Sequence, residues 1–306
     1  MHKPRPLRAG DCVGVVAPAS GCAPEELEGG LAELRRLGFE PLHTGAIAAR
    51  DLFSAGTSLA RARDFMAAWN DPSVAALVAL RGGYGSAQLL PHLDAAALQE
   101  SPKLFIGYSD TTALHTWLTC HLHIPTLHGP MLERRLSRGA DGYDVASLLA
   151  LARGQVGLEL PCEAGVVIRA GEARGALFGG TLTTLCASFG TPYAFSPPEG
   201  CVLFIEDVNE RPYRLHRMLT QLDQAGVLRR ARGVVFGEMR GCDEPGGRLT
   251  AVDAIRHAMI GFDGPVFCGF PSGHTTGPVV TLPLGTAVGM ATHPRPLLVV
   301  EESPVG

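Results

Sequence analysis

The sequence predicts an α/β protein: a doubly wound parallel sheet followed by a smaller, β-rich α+β part. In the first half of the chain, short apolar strands alternate with segments whose apolar residues recur at helical spacing. After about residue 150 the pattern changes to period-two stretches broken by glycines. The residues are 46% hydrophobic and only 18% charged, which suits a compact chain with large cores. We therefore expect an N-terminal domain over residues 1–155 and a C-terminal domain over residues 165–306.

The first half consists of repeated strand-then-helix units. Its predicted strands are the apolar stretches DCVGVVAPAS (11–20), VAALVALRGG (74–83) and KLFIGYSD (103–110). Its predicted helices begin in PEELEGGLAELRRLGF (24–39), SLARARDFMAAWND (58–71), SAQLLPHL (86–93) and just after residue 110. The first helix has four leucines on one stripe, and the second ends before Pro72. In such sheets, sites collect outside the carboxyl ends of the strands.

The second half is predicted to contain mainly strands, with fewer helices. Alternating residues in 154–182 predict β-hairpins, and helices are expected near 181–190 and over 211–228. Further strands are expected in CVLFI (201–205), RGVVFGEM (232–239) and PVFCGFPS (265–272).

Composition and charge exclude several classes of protein. The net charge is −4 with no long basic run, which argues against nucleic-acid binding. The sequence has no run of about 18 apolar residues, so no transmembrane helix is expected. The N-terminal segment also lacks the apolar core of a secretory signal. The eight cysteines form no C-x-x-C pair, and scattered cysteines in a chain of this size fit a reducing compartment. We expect a cytoplasmic protein.

The segment around Ser109 carries the strongest chemical signal. Residues 104–106 end a buried strand and residues 111–118 begin a helix, so Gly107 and Tyr108 must turn the chain in little space. A serine on such a turn has its hydroxyl pushed out of the sheet, which is the geometry of a nucleophile elbow. On the local sequence alone, the N-cap of the following helix is the more common role for such a serine, with Asp110 adding charge to the first turn.

A hydrolytic serine also needs a base and a carboxylate that orients the base. Two polar segments after predicted strands contain these residue types: FIEDVNE (204–210) and FPSGHTTGP (270–278). His274 is the candidate base. Glu206 is the candidate carboxylate, and the adjacent Asp207 is its rival.

The glycine-rich segment RGGYGS (81–86) is the candidate for oxyanion and substrate contacts. Gly82 and Gly83 allow a backbone N–H to approach a substrate carbonyl beside the N–H of Asp110. Tyr84 and Ser86 line the pocket in one interpretation and serve packing alone in the other. The free carboxylate of a substrate would be bound by backbone N–H groups of residues 83–85, or by Arg81 or Arg240.

A metal site is the alternative use of the histidines. His121 and His123 are two apart, with His115 and His128 nearby. No E-x-x-H motif accompanies them, and two histidines at this spacing need a third ligand. We expect no metal and no cofactor.

Seven ordered blocks together resemble the LD-carboxypeptidase family, the muramoyltetrapeptide carboxypeptidases, along nearly the whole chain. The blocks are APAS (17–20), RGGYGSAQLLPHLD (81–94), FIGYSDTTALH (105–115), HGPM (128–131), FGGTLTTL (178–185), LFIEDVNERPYRLHRML (203–219) and GFPSGHTTGPVVTLPLG (269–285). The family is a group of serine peptidases with a Ser-Glu-His triad.

The resemblance implies specific roles for residues of this chain. The nucleophile would be Ser109, the orienting carboxylate Glu206 and the base His274, with oxyanion donors on Asp110 and, in the RGG turn, Gly83. It also implies a flavodoxin-like N-terminal domain, a homodimer and no cofactor. The implied reaction removes the terminal D-alanine from the murein tetrapeptide during cytoplasmic cell-wall recycling. One departure is visible, because many relatives have Asn where this chain has Thr181.

Two other functions compete with this one. A self-immunity hydrolase that cuts the aminoacyl-nucleotide bond of microcin C shares the family's fold, but tends to have extra loop sequence with an aromatic residue that stacks on adenine. Between residues 178 and 212 this chain has no Trp, although its aromatic residues there include Phe189, Tyr193 and Phe195. A non-catalytic nucleotide or flavin module would need a phosphate-binding glycine loop after the first strand, and VGVVAPASG has no G-x-G-x-x-G.

Overall fold

The computed structural model describes residues 2–306, apart from the side chain of residue 46. The strands, in chain order, are β1 (Cys12–Val16), β2 (Glu40–Leu42), β3 (Val74–Ala79), β4 (Leu104–Gly107), β5 (Thr126–His128), β6 (Glu159–Pro161), β7 (Val166–Arg169), β8 (Glu172–Thr181), β9 (Cys201–Glu206), β10 (Ala231–Gly237), β11 (Val266–Phe270), β12 (Leu282–Leu284), β13 (Ala287–Ala291) and β14 (Leu297–Val300). The α-helices are α1 (Pro24–Arg36), α2 (Ser58–Asn70), α3 (Ala95–Glu100), α4 (Thr112–Thr116), α5 (Val145–Ala152), α6 (Leu182–Ala187), α7 (Pro212–Gln224), α8 (Val227–Arg230) and α9 (Ala251–Ala258).

The first sheet has the strand order β2-β1-β3-β4-β5-β12. Its first five strands are parallel, and β12 pairs antiparallel with β5 at the edge. The order 2-1-3-4-5 is the flavodoxin-like arrangement, in which sites form where the order reverses next to β1. The prediction of a doubly wound sheet is confirmed. The limits of the two domains stay a prediction, and β12 shows that the second half contributes a strand to the first sheet.

The second sheet has eight strands in the order β6-β14-β13-β8-β9-β10-β11-β7. Strands β8 to β11 form a parallel centre, and the outer strands are antiparallel. The prediction of β-hairpins in residues 154–182 is wrong: β6 pairs with β14 and β7 pairs with β11. Period-two alternation fixes which side chains share a face, but it does not choose the partner strand.

Local sequence explains where several helices begin. Pro24 occupies the first position of α1, followed by two glutamates that favour the positive end of the helix dipole. Thr57 caps α2. The helix expected from residue 86 is instead a 3₁₀ segment, Ser86–His92, that contains Pro91. Because proline has no N–H for an α-helical bond, the α-helix begins only after Asp94, which caps α3.

Three apolar cores hold the fold together. One lies under the first sheet and includes Phe65 and Trp69 of α2. A second packs α7 and α9 on the second sheet. The largest is continuous between the two sheets and includes Ile106 of β4 and Phe204 of β9. This shared core brings the carboxyl ends of β4 and β9 towards one cleft. Within residues 2–306, no helix has both the length and the apolar character needed to cross a membrane.

Candidate active site

Ser109 lies on the sharp turn that the sequence predicts between β4 and α4. Its φ of +64° is in the left-handed region, which a non-glycine residue adopts at a cost of about 1–2 kcal/mol. Tyr108 before it is extended, and a 3₁₀ turn over Ser109–Thr111 leads into α4. Left-handed backbone at a non-glycine residue is typical of functional turns that their surroundings hold in place.

The RGG turn passes directly beside this serine. A Cβ atom built on Gly82 would lie 2.8 Å from Ser109 Cβ and 2.9 Å from Ser109 Oγ, so any larger residue would force Ser109 or the turn to move. Gly83 has a φ of +96°, and a Cβ atom on it would overlap the Ser20 hydroxyl. The Ser20 Oγ in turn accepts the N–H of Tyr84 at 3.2 Å. The turn is therefore fixed against the candidate nucleophile.

Ser86 supports the elbow and does not line the cleft. It is fully buried, its N–H donates to Asp110 Oδ2 at 2.8 Å, and its hydroxyl donates to the carbonyl of Asp110 at 2.5 Å. Burial raises the pKa of Asp110, although the N–H donors oppose this shift. The sequence interpretation of Ser86 as a substrate contact is corrected accordingly.

His274 and Glu206 are in direct contact. Glu206 ends β9 and is 1% exposed, and His274 lies in the loop after β11. The Nδ1 of His274 lies 2.7 Å from Glu206 Oε2, and the backbone N–H of His274 donates to the same oxygen at 3.0 Å. With Nδ1 held in this way, Nε2 remains as the atom able to accept a proton.

The electrostatics of this pair follow from burial and from the charge of each partner. Burial alone would raise the pKa of Glu206, but the His274 charge and hydrogen bond, with smaller help from His128, bring it well below its usual range. Burial would lower the pKa of His274, and the Glu206 carboxylate reverses that effect and raises it above its ordinary value of 6.5. The carboxylate therefore stays ionised and favours the imidazolium form of its partner.

Asp207, the rival carboxylate, makes other contacts. Its Oδ2 accepts the N–H of Thr183 at 2.8 Å and the Thr183 hydroxyl at 2.7 Å, and its Oδ1 accepts the N–H of Val208 at 2.8 Å. Burial, helped by the neighbouring Glu206 charge, raises its pKa to about 6. The contact to His274 is made by Glu206 and not by Asp207.

Thr181 completes the surroundings of Glu206, a role that the sequence did not predict. Its hydroxyl donates to Glu206 Oε1, and its own N–H donates to Thr112 Oγ1 at 3.1 Å. It ends β8 directly opposite Glu206 in the parallel pairing with β9. Its place beside the two glycines of FGGTL was visible in the sequence, but its pairing with a residue 25 positions away was not.

A cavity of about 710 Å³ joins these residues, a size typical of small-ligand sites. From the first half of the chain it is lined mainly by residues of the RGG turn and the elbow. From the second half it is lined by α6, by the loop over residues 188–193, and by residues near the ends of β8, β9 and β11. The lining residues include Gly83, Tyr84, Ser109, Asp110, Thr181, Asp207, Glu210 and His274. The structure therefore brings the predicted nucleophile, base and glycine turn to one cleft.

The cavity wall contains carboxylates and no lysine or arginine. Arg81, one candidate for binding a substrate carboxylate, pairs instead with Glu133 at 3.0 Å and donates to the carbonyl of Gly21. Arg240, the other candidate, does not line the cavity either. A substrate carboxylate in this cleft would be met by backbone N–H groups and hydroxyls.

Of the four histidines proposed as an alternative metal cluster, His115 and His128 are fully buried, whereas His121 is half-buried and His123 is exposed. His115 Nδ1 lies 2.8 Å from Thr126 Oγ1 and its Nε2 lies 2.9 Å from the carbonyl of Gly107, which ties α4 to the end of β4. Burial lowers the pKa of His115 to about 3 and that of His128 to about 4, so both are neutral. Over residues 2–306, no three His, Cys, Asp or Glu side chains are grouped as metal ligands.

Comparison with known proteins decides the family. Residues 13–129 match the model of the LD-carboxypeptidase N-terminal domain, and residues 174–290 match that of the LD-carboxypeptidase C-terminal domain. The chain belongs to the LD-carboxypeptidase family. It is accordingly a serine-type carboxypeptidase, a hydrolase, as the resemblance implies.

Individual relatives of this LD-carboxypeptidase family member carry two kinds of name. The murein tetrapeptide carboxypeptidase of Pseudomonas aeruginosa is 34% identical, over 86% of this chain and 87% of its own length. The microcin C7 self-immunity protein MccF of Escherichia coli is 26% identical, over 97% and 95%. The crystal structure of muramoyltetrapeptide carboxypeptidase from Oxalobacter formigenes superposes with a TM-score of 0.84 at 27% identity, over 96% of this chain and all of that one.

Proposed function

We propose that this protein releases the terminal D-alanine from the murein tetrapeptide L-Ala-D-Glu-meso-DAP-D-Ala, as a step in cell-wall recycling. The observation that carries the proposal is the 2.7 Å contact between His274 and the buried Glu206, in a cavity that also holds Ser109 on a left-handed turn. The names of the relatives in Pseudomonas aeruginosa and Oxalobacter formigenes support the choice of substrate.

The proposed reaction is acyl transfer through a serine ester. His274 Nε2 takes the proton of the Ser109 hydroxyl as Ser109 Oγ bonds to the scissile carbonyl carbon. The carbonyl oxygen becomes an oxyanion between the N–H groups of Gly83 and Asp110. As the C–N bond breaks, His274 gives its proton to the leaving D-alanine nitrogen. Water then attacks the ester by the same proton route and restores Ser109.

Glu206 has two tasks in this scheme. Its carboxylate accepts a hydrogen bond from the Nδ1–H of His274 and so keeps the imidazole proton on that nitrogen. The basic atom of the imidazole is therefore Nε2. Its negative charge also stabilises the imidazolium that forms when Ser109 loses its proton. Gly82 contributes by leaving room for Ser109, and Tyr84 contributes a wall of the cavity.

The charge of the cavity favours a peptide substrate over an aminoacyl nucleotide. The wall includes Asp110, Asp207 and Glu210, the last also paired with Arg214 at 2.6 Å, and its lining residues include no lysine or arginine. Carboxylates attract the ammonium group of a diamino acid, whereas a nucleotide phosphate usually meets arginine or lysine. The wall also has no tryptophan for stacking on a base, although Tyr193 lines it.

Three further parts of the proposal come from the sequence and the family resemblance: action in the cytoplasm and separate domains over residues 1–155 and 165–306, which the sequence also predicts, and a homodimer, which the resemblance alone implies. Light scattering on a size-exclusion column tests the dimer. A mass of about twice 32.2 kDa is expected, and a mass of one chain would refute this part alone.

The deciding experiment incubates the purified protein with L-Ala-γ-D-Glu-meso-DAP-D-Ala and follows D-alanine release by mass spectrometry. Ser109→Ala is the test variant, and Ser101→Ala, at an exposed serine, is the matched control. We expect release by the native and Ser101→Ala proteins and a loss of about 10⁴-fold in kcat for Ser109→Ala. Release by a folded Ser109→Ala protein at the native rate would refute the mechanism. Cleavage of an aminoacyl-adenylate analogue but not of the peptide would favour the self-immunity function.

A further inference from the structure

Arg135 is a buried cation outside the proposed catalytic groups. It lies between β5 and α5 and is 7% exposed. All five of its N–H donors have acceptors, and four of these acceptors are backbone carbonyls. The bonds run from Nε to the Tyr108 hydroxyl at 3.2 Å, from Nη1 to the carbonyls of Gly142 at 3.3 Å and Gly277 at 3.1 Å, and from Nη2 to the carbonyls of Gly273 at 3.2 Å and Thr275 at 2.9 Å.

The backbone around Arg135 is anchored to the first sheet. The N–H groups of Leu132 and Glu133 donate to carbonyls at the end of β3 and just after it, at 3.1 and 2.9 Å. Arg134 then adopts a left-handed φ of +62°, and its N–H donates to Glu26 Oε2 at 2.8 Å. After this turn, Arg135 lies in the protein interior.

The carbonyls that Arg135 binds belong to the loop that carries His274. Gly273 and Thr275 flank His274 directly in the chain. Glu238 holds the same loop from another side. Its carboxylate accepts a hydrogen bond from the Thr275 hydroxyl. It also accepts hydrogen bonds from the N–H of Thr276 at 2.8 Å and from the Thr276 hydroxyl at 2.9 Å. The loop is thus clamped by one cation through its carbonyls and by one anion through its donors.

The remaining bond of Arg135 leads to the nucleophile. Tyr108 precedes Ser109, and its ring meets the His274 ring edge to face with centroids 5.2 Å apart. One guanidinium therefore contacts the residue before the candidate nucleophile and both residues beside the candidate base.

We propose that Arg135 is a positioning residue that fixes His274 relative to Ser109 across the two halves of the chain. The inference rests on the proposed function for its kinetic consequence, but its structural part does not depend on the substrate. A guanidinium suits this task because its rigid fork offers five donors in fixed directions, which lysine cannot reproduce.

A second consequence concerns the charge. Among residues 2–306, no carboxylate lies within ion-pair distance of Arg135. Its positive charge therefore acts on the imidazole of His274, where burial and Arg135 lower the pKa while Glu206 and Asp207 raise it. The imidazole also meets the Tyr108 ring and lies near His128, which is neutral. Removing the positive charge should move the pKa of His274 further upwards.

The test compares Arg135→Met, which removes donors and charge, with Arg135→Lys, which keeps the charge and loses the fork. Arg138→Met, at an exposed arginine of the same segment, is the control. Three quantities are measured on the full chain: kcat and KM on the tetrapeptide, the pKa of His274 by NMR of ¹⁵N-histidine-labelled protein, and Tm. The His274 signal is assigned as the one that disappears in His274→Gln.

For Arg135→Met we expect kcat to fall about 100-fold with KM within about threefold, since a displacement of about 1 Å can have this effect. Its His274 pKa should rise. Arg135→Lys should lose kcat while its His274 pKa stays near the native value, and Arg138→Met should match the native protein. A folded Arg135→Met protein with native kcat, or with an unmoved His274 pKa, would overturn the proposal.

Two arms cover the remaining outcomes. If Arg135→Met fails to fold, Arg135→Lys decides: native kcat in that variant overturns the positioning role, and a reduced kcat at an unchanged His274 pKa supports it. If the native protein does not cleave the tetrapeptide, the proposed function fails, and the His274 pKa still tests Arg135. In that case the rate of Ser109 labelling by a fluorophosphonate replaces kcat, and equal rates in native and Arg135→Met proteins count against the proposal.

Discussion

One oxygen of Glu206 holds His274 twice. Its Oε2 lies 2.7 Å from the Nδ1 of His274 and accepts the backbone N–H of the same residue at 3.0 Å. The ring and the backbone of the histidine are therefore fixed to the same point, and that point is itself fixed at the end of a central strand. The consequences of this double contact can be measured.

The first prediction separates Glu206 from its neighbour. Glu206→Gln should lower kcat by about 10³–10⁴-fold, because the amide removes the charge that stabilises the imidazolium. Asp207→Asn should lower it by less than about tenfold, since Asp207 bonds to Thr183 and Val208 rather than to the histidine. Steady-state kinetics with matched Tm values decide the matter. A larger loss of kcat in Asp207→Asn than in Glu206→Gln would show that Asp207, and not Glu206, orients the histidine.

The second prediction concerns pH. His274 must be neutral to accept a proton, and its folded-state pKa is raised above 6.5, so kcat/KM should fall as the pH drops through a value above 6.5. In Glu206→Gln the raising charge is gone and burial dominates, so the acid limb should move to lower pH while the maximum rate falls. The pH dependence of kcat/KM measures both effects. An acid limb at the same pH in both proteins would contradict this coupling.

The third prediction tests the hydroxyl of Thr181. Thr181→Val keeps the shape and removes the donor to Glu206 Oε1, leaving a buried carboxylate oxygen without its bond. Hydrogen bonds to charged groups are worth about 1.5–3 kcal/mol, so we expect a loss of at least about tenfold in kcat. Thr181→Ser retains the hydroxyl and should stay within about threefold of native. Equal kinetics for the Val and Ser variants would show that the bond does not matter.

The fourth prediction uses the close approach of Gly82 to Ser109. In Gly82→Ala the new methyl group would lie 2.8 Å from Ser109 Cβ, so the nucleophile or the RGG turn must shift. A loss of about 100-fold in kcat is expected, with little change in Tm. Gly261→Ala is the control, because a Cβ atom there meets no other atom within 4 Å. Native activity in Gly82→Ala would mean that the turn adapts without cost.

The sequence was most informative where structure is local. The elbow at Ser109 follows from an apolar strand, a two-residue turn and a helix, all within 15 residues, and α7 follows from its apolar stripe. The partners of β6 and β7 could not be predicted, because they lie more than 95 positions further along the chain. The role of Arg135 could not be predicted from the sequence either, because most of its hydrogen-bond acceptors are backbone carbonyls, which every residue type has.

The edge position of β12 has a consequence for attempts to divide the chain. Leu282–Leu284 pairs with Thr126–His128, so a fragment limited to residues 1–155 would lack the strand that covers its own sheet edge. The exposed N–H and C=O groups of β5 would then be free to recruit a strand from another molecule. Such a fragment is expected to aggregate when produced alone and to be rescued by co-expression with residues 165–306, which makes the two pieces suitable as a split-protein reporter.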